Sequence, residues 1–292
     1  MKFEKANCPI CESKNFKLIS RKGHFRIPIF VSVCKKCGLV MLNPRWDEKS
    51  YSNFYEKEYD RYYRENIGKE NNLNSVEILD RISKFVKNKK NILDIGSGSG
   101  YISSYIKKEL EFSFVDAIES SENAKRILLQ KNINHVSNFL KEYHTDKKYD
   151  LIIMRHVFEH VLEPKEELIR IKKLLSKEGV LYISLPCLEN PSISIQNEFF
   201  RVVHSFYFCK RDMLNLFNMV GFKVASFKVS PRRNKGEMYF VLKHNKSNSK
   251  INYGNYNKTF IRLKTLIYLD LILNFKFYIK LLLKTVDDQI TK

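Results

Sequence analysis

Along the chain, short and wholly apolar runs alternate with segments that place an apolar residue every three or four positions. The runs Asn91–Ile95 (NILDI), 113–118 (SFVDAI), 149–154 (YDLIIM) and 179–185 (GVLYISL) are short and apolar on both faces. That is the pattern of strands covered on both sides, the usual state of a parallel sheet. Helical periodicity falls between them, at 76–87, 101–109, 121–131 and 164–175, and Pro164 stands where a first helical turn tolerates a missing N–H. The alternation predicts an α/β fold, a doubly wound sheet with helices on both faces. Two further runs, 222–229 and 236–243, are joined by a turn around Pro231 to Gly236, and a connection that short makes them antiparallel.

Composition divides the rest. Residues 1–44 hold four of the six cysteines and read as a small metal-binding module. Residues 45–75 form a connecting or lid segment that is polar yet rich in aromatics: Trp46, Tyr51, Phe54, Tyr55, Tyr59, Tyr62 and Tyr63. Residues 76–244 carry the alternating pattern, and 245–292 form a polar linker followed by an amphipathic, basic helix.

The first strand of the alternating region runs into Gly96-Ser97-Gly98-Ser99-Gly100, and Tyr101 opens a helix at once. Glycines permit the tight turn and let a ligand touch the backbone, and the helix N-terminus faces the same spot. Without a ligand, the same loop would simply be a tight strand–helix turn. The spacing lacks the extra residue of the dinucleotide fingerprint. Asp94 precedes the first glycine by two residues. A carboxylate there repels a pyrophosphate and attracts a ligand with an ammonium and a sulfonium, as in S-adenosylmethionine. Glu119 ends the second strand, 19 residues after Gly100, where an acid accepts hydrogen bonds from both hydroxyls of a ribose.

In these features the chain resembles the class I S-adenosylmethionine-dependent methyltransferases, over roughly residues 76–243. Tyr149 to His160 (YDLIIMRHVFEH) is similar to the family's fourth strand and the Glu-His element after it, Leu174 to Pro186 to its fifth strand, and Gly221-Phe222 to the entry of its sixth. The resemblance implies a Rossmann-like seven-stranded sheet with the last strand antiparallel. It implies a cofactor site of Asp94, Gly96, Ser97, Gly98, Gly100, Tyr101, Glu119 and Arg155. Where many members set an Asp beside the adenine amino group, this chain has Asn138, followed by Phe139; the Asn138 amide oxygen can still accept from that group.

Cys8-Pro-Ile-Cys11 and Cys34-Lys-Lys-Cys37 are two Cys-x-x-Cys pairs separated by 22 residues, with Gly38 after the second. Two such pairs supply four thiolates to a closed tetrahedral Zn2+ site, which folds a zinc ribbon and performs no chemistry. Cys187 and Cys209 fall outside this scheme and are expected to be buried as small apolar side chains. The ribbon, the following Cys37-Gly-Leu-Val-Met-Leu-Asn-Pro-Arg45 and the aromatic stretch narrow the resemblance to bacterial methyltransferases of polysaccharide and modified-sugar biosynthesis. That resemblance implies a sugar or nucleotide-sugar acceptor. The chain is shorter than the sugar C-methyltransferases, which carry an additional C-terminal domain, and this favours an oxygen acceptor.

A hydroxyl acceptor needs a base near the methyl group. The carboxyl end of the fourth strand carries His156, Glu159 and His160, and His204 follows the fifth strand. His160 or His204 is the expected base, with Glu159 orienting it; His156 shares a helical face with His160. Alternatively, Glu159 and His160 only pin the loop. The four side chains also resemble the metal-ligand set of small-RNA 2′-O-methyltransferases, with His156 replacing a first glutamate, which would imply a divalent cation.

The net charge of +20 favours acidic partners, although the lysines are spread along the whole chain and also serve solubility. An RNA methyltransferase gripping phosphates with ribbon and charge is the alternative function; against it, no Asn/Asp-Pro-Pro-aromatic motif follows the fourth strand. As one helix, 258–284 aligns Lys258, Arg262, Lys276, Lys280 and Lys284 in a stripe beside apolar residues. Such a helix suits an anionic membrane surface, its own domain or a homodimer partner. No apolar signal core follows Met1, and Leu266 to Leu283 is broken by Asp270, Lys276 and Lys280. A cytoplasmic location with reduced thiols is therefore expected.

Overall fold

The computed structural model describes residues 2–24, 27–58, 72–87, 90–191, 194–229, 236–245 and 251–272. The N-terminal part contains β1 (Phe3–Glu4), β2 (Phe16–Lys22), β3 (Pro28–Cys34), β4 (Val40–Leu42) and β5 (Arg45–Trp46), then a helix, Glu48–Asn53, whose N-cap Asp47 accepts the Ser50 N–H at 2.9 Å. The larger part adds β6 (Asn91–Ile95), β7 (Phe114–Ile118), β8 (Asn134–Ser137), β9 (Tyr149–Arg155), β10 (Leu175–Pro186), β11 (Phe206–Tyr207), β12 (Phe222–Val229) and β13 (Glu237–His244).

Seven of these strands make one sheet in the order β12-β13-β10-β9-β6-β7-β8. β6 to β10 run parallel, and β13 lies antiparallel between β10 and β12. This is the seven-stranded arrangement the sequence implied. Its strands read as continuous apolar runs because both faces are covered. Leu93, Ile152, Met154, Leu181 and Ile183 join one core, whereas Ile92, Leu151, Ile153, Val180 and Tyr182 join the core on the opposite face. Helices Tyr101–Leu110, Glu122–Gln130 and Pro164–Leu174 lie close to their predicted spans, and the first helix extends back to Asn72.

One helix escaped the periodicity reading. Lys210–Val220 starts at Cys209, a residue type that does not announce an N-cap. Here the Cys209 thiol and N–H both donate to Asp212 Oδ2, at 3.0 and 3.1 Å. Cys187 and Cys209 are both buried, as expected.

A second sheet, β11-β4-β3-β2, joins the N-terminal strands to a strand that follows β10 by about twenty residues. One face of it contributes Leu39 and Met41 to the core that holds Phe206, Phe208 and Met213. The other contributes Val31, Val33 and Val40 to a further core with Trp46, Tyr51, Phe54, Phe200 and Leu263. The buried Arg45 guanidinium fastens this layer to the larger sheet, donating to Glu4 at 2.9 Å, to the Leu162 carbonyl at 2.7 Å and to Glu163 at 2.9 Å.

The C-terminal helix is described over 256–272, so Lys276, Lys280 and Lys284 of the predicted stripe lie outside the described residues. Tyr256, Phe260, Leu263, Leu266 and Ile267 pack against the N-terminal core, and Asp270 accepts from Ser194 Oγ at 2.7 Å. Ile261, Tyr268, Leu269 and Leu271 are exposed. Among the described residues, no helix is long and apolar enough to cross a membrane. Leu263 is 1% exposed, so Leu263→Ala leaves a cavity where the C-terminal helix meets the N-terminal layer. It should lower unfolding free energy by about 2–4 kcal/mol in urea titration; an unchanged midpoint would mean that this helix is not part of the cooperative unit.

Candidate active site

A cleft of about 730 Å³ opens at the carboxyl ends of β6, β7 and β9, the usual ligand position in an open α/β sheet. All of the sequence-predicted cofactor residues except Gly100 line it. The three loop glycines have left-handed φ values of 66°, 52° and 67°, at Gly96, Gly98 and Gly100, a region that costs other residues about 1–2 kcal/mol. They differ in their surroundings. A Cβ on Gly96 would strike Val157, and one on Gly100 would strike Leu128 and Ile133. A Cβ on Gly98 would meet nothing within 4 Å. Gly100 thus serves close packing, whereas Gly98 keeps its open side toward the cleft.

Glu119 fixes this loop. One carboxylate oxygen accepts the Gly98 N–H and the other the Ser121 N–H, each at 2.8 Å. The Gly96 N–H donates to the Ile118 carbonyl at 2.8 Å, so loop and β7 tip are tied twice. Ser97 Oγ is buried, with no hydrogen-bond partner among the described residues. Asp94 is 4% exposed; burial raises its pKa to about 7, the Glu119 charge adds to this, and Ser103 and Arg155 oppose it. Asn138 Oδ1 accepts from Lys125 Nζ at 3.1 Å, and Phe139 lies under the Lys141 ammonium.

Opposite the loop, the chain after β9 brings the predicted chemical groups together. His156 takes a left-handed φ of 51°. Its Nδ1 lies 3.5 Å from Glu159 Oε1 and its Nε2 3.4 Å from Glu237 Oε2. Burial alone would lower the His156 pKa, but the two carboxylates outweigh it and the pKa ends above its ordinary value. Burial likewise opposes Glu237, yet His156 and Arg155 hold that carboxyl down at about 2. Glu159 is 2% exposed, and among the described residues no hydrogen bond reaches either oxygen; His156 Nδ1 and His160 Nε2 lie 3.5 and 3.8 Å from its Oε1. Those imidazoles overcome the burial and keep its pKa below normal.

His160 Nδ1 sits 2.6 Å from the Tyr55 hydroxyl and 2.9 Å from the Val203 carbonyl, and its Nε2 lies 3.8 Å from Glu159 Oε1. The His204 ring meets the His160 ring edge-on, with centroids 4.8 Å apart. Burial lowers both histidine pKa values, that of His204 well below normal with the His160 charge adding to it. Both imidazoles are therefore neutral at neutral pH. Glu159, His160 and His204 offer ligand atoms all within 4.8 Å of one another, whereas His156 turns toward Glu237. Sequence reasoning missed Glu237 and Tyr55. The first is distant in the chain, and the second was one aromatic among seven.

In the N-terminal part, Cys8 Sγ lies 3.4 Å from Cys37 Sγ and Cys11 Sγ 3.4 Å from Cys34 Sγ, and all four sulfurs fall within 4.8 Å of one another. The two knuckles are alike: the Glu12 N–H donates to the Cys8 carbonyl at 2.8 Å and the Gly38 N–H to the Cys34 carbonyl at 2.9 Å, each with positive φ.

Comparison with known proteins agrees with this geometry. Residues 59–226 match the family described as a methyltransferase domain. A ubiquinone biosynthesis O-methyltransferase of Rickettsia typhi is 30% identical over 100 residues, a stretch of 33% of this chain and 41% of that relative. The match therefore spans less than half of the relative. A solved S-adenosylmethionine-dependent methyltransferase from Clostridium acetobutylicum superposes with a TM-score of 0.51 at 12% identity, covering 64% of this chain and 96% of the other. The Burkholderia thailandensis 1,6-didemethyltoxoflavin-N1-methyltransferase, solved with S-adenosylhomocysteine, gives 0.54 at 15% identity, covering 78% of this chain and all (100%) of the other. With its matched segment spanning more than half of the 292 residues, the chain belongs to the methyltransferase domain family and has the class I fold of S-adenosylmethionine-dependent methyltransferases.

Proposed function

We propose that this enzyme transfers the methyl group of S-adenosylmethionine to a hydroxyl of a sugar or nucleotide-sugar in surface polysaccharide biosynthesis, in the cytoplasm. The observation that carries the cofactor reading is the pair of buried acids, Asp94 and Glu119, flanking a loop whose middle glycine is open to the cleft. The Ser97 hydroxyl, buried with no hydrogen-bond partner among the described residues, suits a polar nucleoside. When bound, S-adenosylmethionine supplies the electrophilic methyl carbon. The chain's part is to hold the acceptor in line and remove its proton. The neutral imidazoles of His160 and His204, beside Glu159, form the group that does so.

The cleft walls favour a sugar over RNA. Beyond the cofactor acids they carry Glu48, Glu163, Glu166 and Glu167 against Lys141, Arg155 and Arg170. That acidic balance disfavours a phosphate backbone, and a nucleotide-sugar would keep its diphosphate outside this wall. The four cysteines hold a structural Zn2+. Zn–S bonds of about 2.3 Å in a tetrahedron set sulfurs about 3.8 Å apart, close to the spacing of these buried thiols.

Calorimetry with S-adenosylhomocysteine should show one site per chain. Gly98→Ala should abolish that binding while costing only about 1–2 kcal/mol of stability. Gly100→Ala, which collides with Leu128 and Ile133, should cost about 2–4 kcal/mol; equal binding by wild type and Gly98→Ala would refute the assignment of the loop.

Asp94 gives a pH signature. Its folded pKa is raised, so its contribution to the unliganded protein's stability declines as pH rises from about 4 to about 7. Affinity for the cationic cofactor should move the opposite way, gaining up to about tenfold per pH unit below 7, with proton release on binding. Asp94→Asn should flatten this dependence; an unaltered profile would exclude Asp94 as its source.

Elemental analysis of the purified protein should find one zinc per chain, lost together with stability in Cys8→Ser. Metal-free protein with four reduced thiols and an unchanged melting temperature would rule the zinc site out. Radiolabelled methyl transfer to a panel of sugars and nucleotide-sugars, with RNA as the contrasting substrate, tests the acceptor class.

A further inference from the structure

We propose that the outward face of the C-terminal helix, 256–272, is a docking surface for an anionic lipid bilayer, on which the helix lies flat. This goes beyond the methyl-transfer reading and does not rest on it. The helix is capped by Asn255, whose Oδ1 accepts the Lys258 N–H at 3.1 Å. Phe260, Leu263 and Ile267 turn one face into the N-terminal core. At about 100° per residue, Ile261, Tyr268 and Leu269 fall on the far side. All three are exposed, Ile261 to 63% and Tyr268 to 64%. Docking on its own domain thus uses one face of the helix and leaves an apolar stripe on the other.

The polar residues decide what that stripe meets. Arg262 and Lys264 stand on its two flanks and Lys258 at its start, all three exposed. The Lys264 stem runs past Phe260, its ammonium 5.9 Å from the ring centroid, and Arg262 donates to the Glu189 carbonyl. Thr265, on the stripe itself, donates its hydroxyl to the Ile261 carbonyl at 3.0 Å, so its polar group is satisfied within the helix. The helix has one acid, Asp270, and that side chain is engaged on the domain, accepting from Ser194 Oγ at 2.7 Å and from the Gln196 N–H at 3.2 Å. The outward face of 256–272 therefore combines apolar and cationic side chains with no carboxylate.

That combination selects the occupant. A second copy meeting this face about a two-fold axis would bring bases against bases, with no acid on the face to offset them. A nucleic acid would neutralise the bases and leave Ile261 and Leu269 in water. An anionic bilayer answers both: its headgroups meet Lys258, Arg262 and Lys264, and its acyl boundary takes the aliphatic side chains, with Tyr268 at the level where amphipathic rings settle. The long basic side chains reach from the helix flanks to the headgroups while their stems stay in apolar contact.

The test is co-sedimentation of the full-length protein with phosphatidylcholine vesicles, with and without one-third (about 30%) phosphatidylglycerol. Wild type should bind the anionic vesicles. Tyr268→Ser/Leu269→Ser, which changes no charge, should weaken binding by roughly tenfold or more at an unchanged melting temperature. Lys258→Glu/Lys264→Glu should weaken it by roughly tenfold or more on the anionic vesicles, and Lys223→Glu/Lys228→Glu, an equal charge change on the edge strand β12, should weaken it far less. No binding by wild type overturns the proposal, as does equal binding by wild type and Tyr268→Ser/Leu269→Ser. Equal losses from the two lysine pairs overturn it in favour of attraction by net charge alone. A wild-type dimer that Tyr268→Ser/Leu269→Ser turns into a monomer in analytical ultracentrifugation assigns the face to a second copy instead. A clear fall in melting temperature in that variant assigns it to the chain's own packing. Either result overturns the lipid surface, and none of these readouts depends on methyl transfer.

Discussion

One carboxylate joins the parts of the cleft. Glu119, at the tip of β7, accepts a backbone N–H from Gly98 on one side and from Ser121 on the other. A buried acid with two such bonds is satisfied without a counter-ion. It sets the glycine loop against the second strand and the start of helix Glu122–Gln130. Asp94 lacks that provision and sits buried near neutrality, so its charge becomes available when a cation approaches. The two acids have different parts. One is tied to two backbone N–H groups, and the other is buried with its pKa raised to about 7.

A second group of charges is arranged across the cleft. The left-handed His156 backbone places its imidazole between Glu159, just after β9, and Glu237, at the start of β13, and these carboxylates raise its pKa. The imidazoles in turn keep the buried Glu159 carboxyl below its ordinary pKa. His160 and His204 stay neutral because burial dominates at each. The same short segment thus contains one histidine with a raised pKa and one with a lowered pKa, four residues apart, separated in behaviour by their neighbours.

The N-terminal layer is part of this machinery. Its sheet takes β11 from the chain between β10 and the helix Lys210–Val220, and its core shares Phe200 and Leu263 with late segments of the sequence. Arg45 reaches across to Leu162 and Glu163, at the mouth of the cleft. The cysteine cluster belongs to the same continuous core as Met154 and Ile183 of the large sheet. Ordering of the thiol module and shaping of the acceptor side are for this reason one event in packing.

The amino-acid sequence alone determined the doubly wound sheet, the glycine loop with its two acids, and the four-cysteine spacing. Each of these is local: a strand buried on both faces is apolar throughout, a left-handed turn requires glycine, and Cys-x-x-Cys pairs place two sulfurs on one turn. The partners of the histidines were not local. Tyr55 reaches His160 across 105 residues, and Glu237 reaches His156 from the last strand. Cys209 hid a helix start, whose cap is closed by the Asp212 carboxylate accepting the Cys209 N–H and thiol. Which histidine pKa is raised and which lowered depends on burial and on neighbours brought together by chain crossings. Only the tertiary structure decides these, because desolvation and Coulomb energies follow distance in space and not separation along the chain.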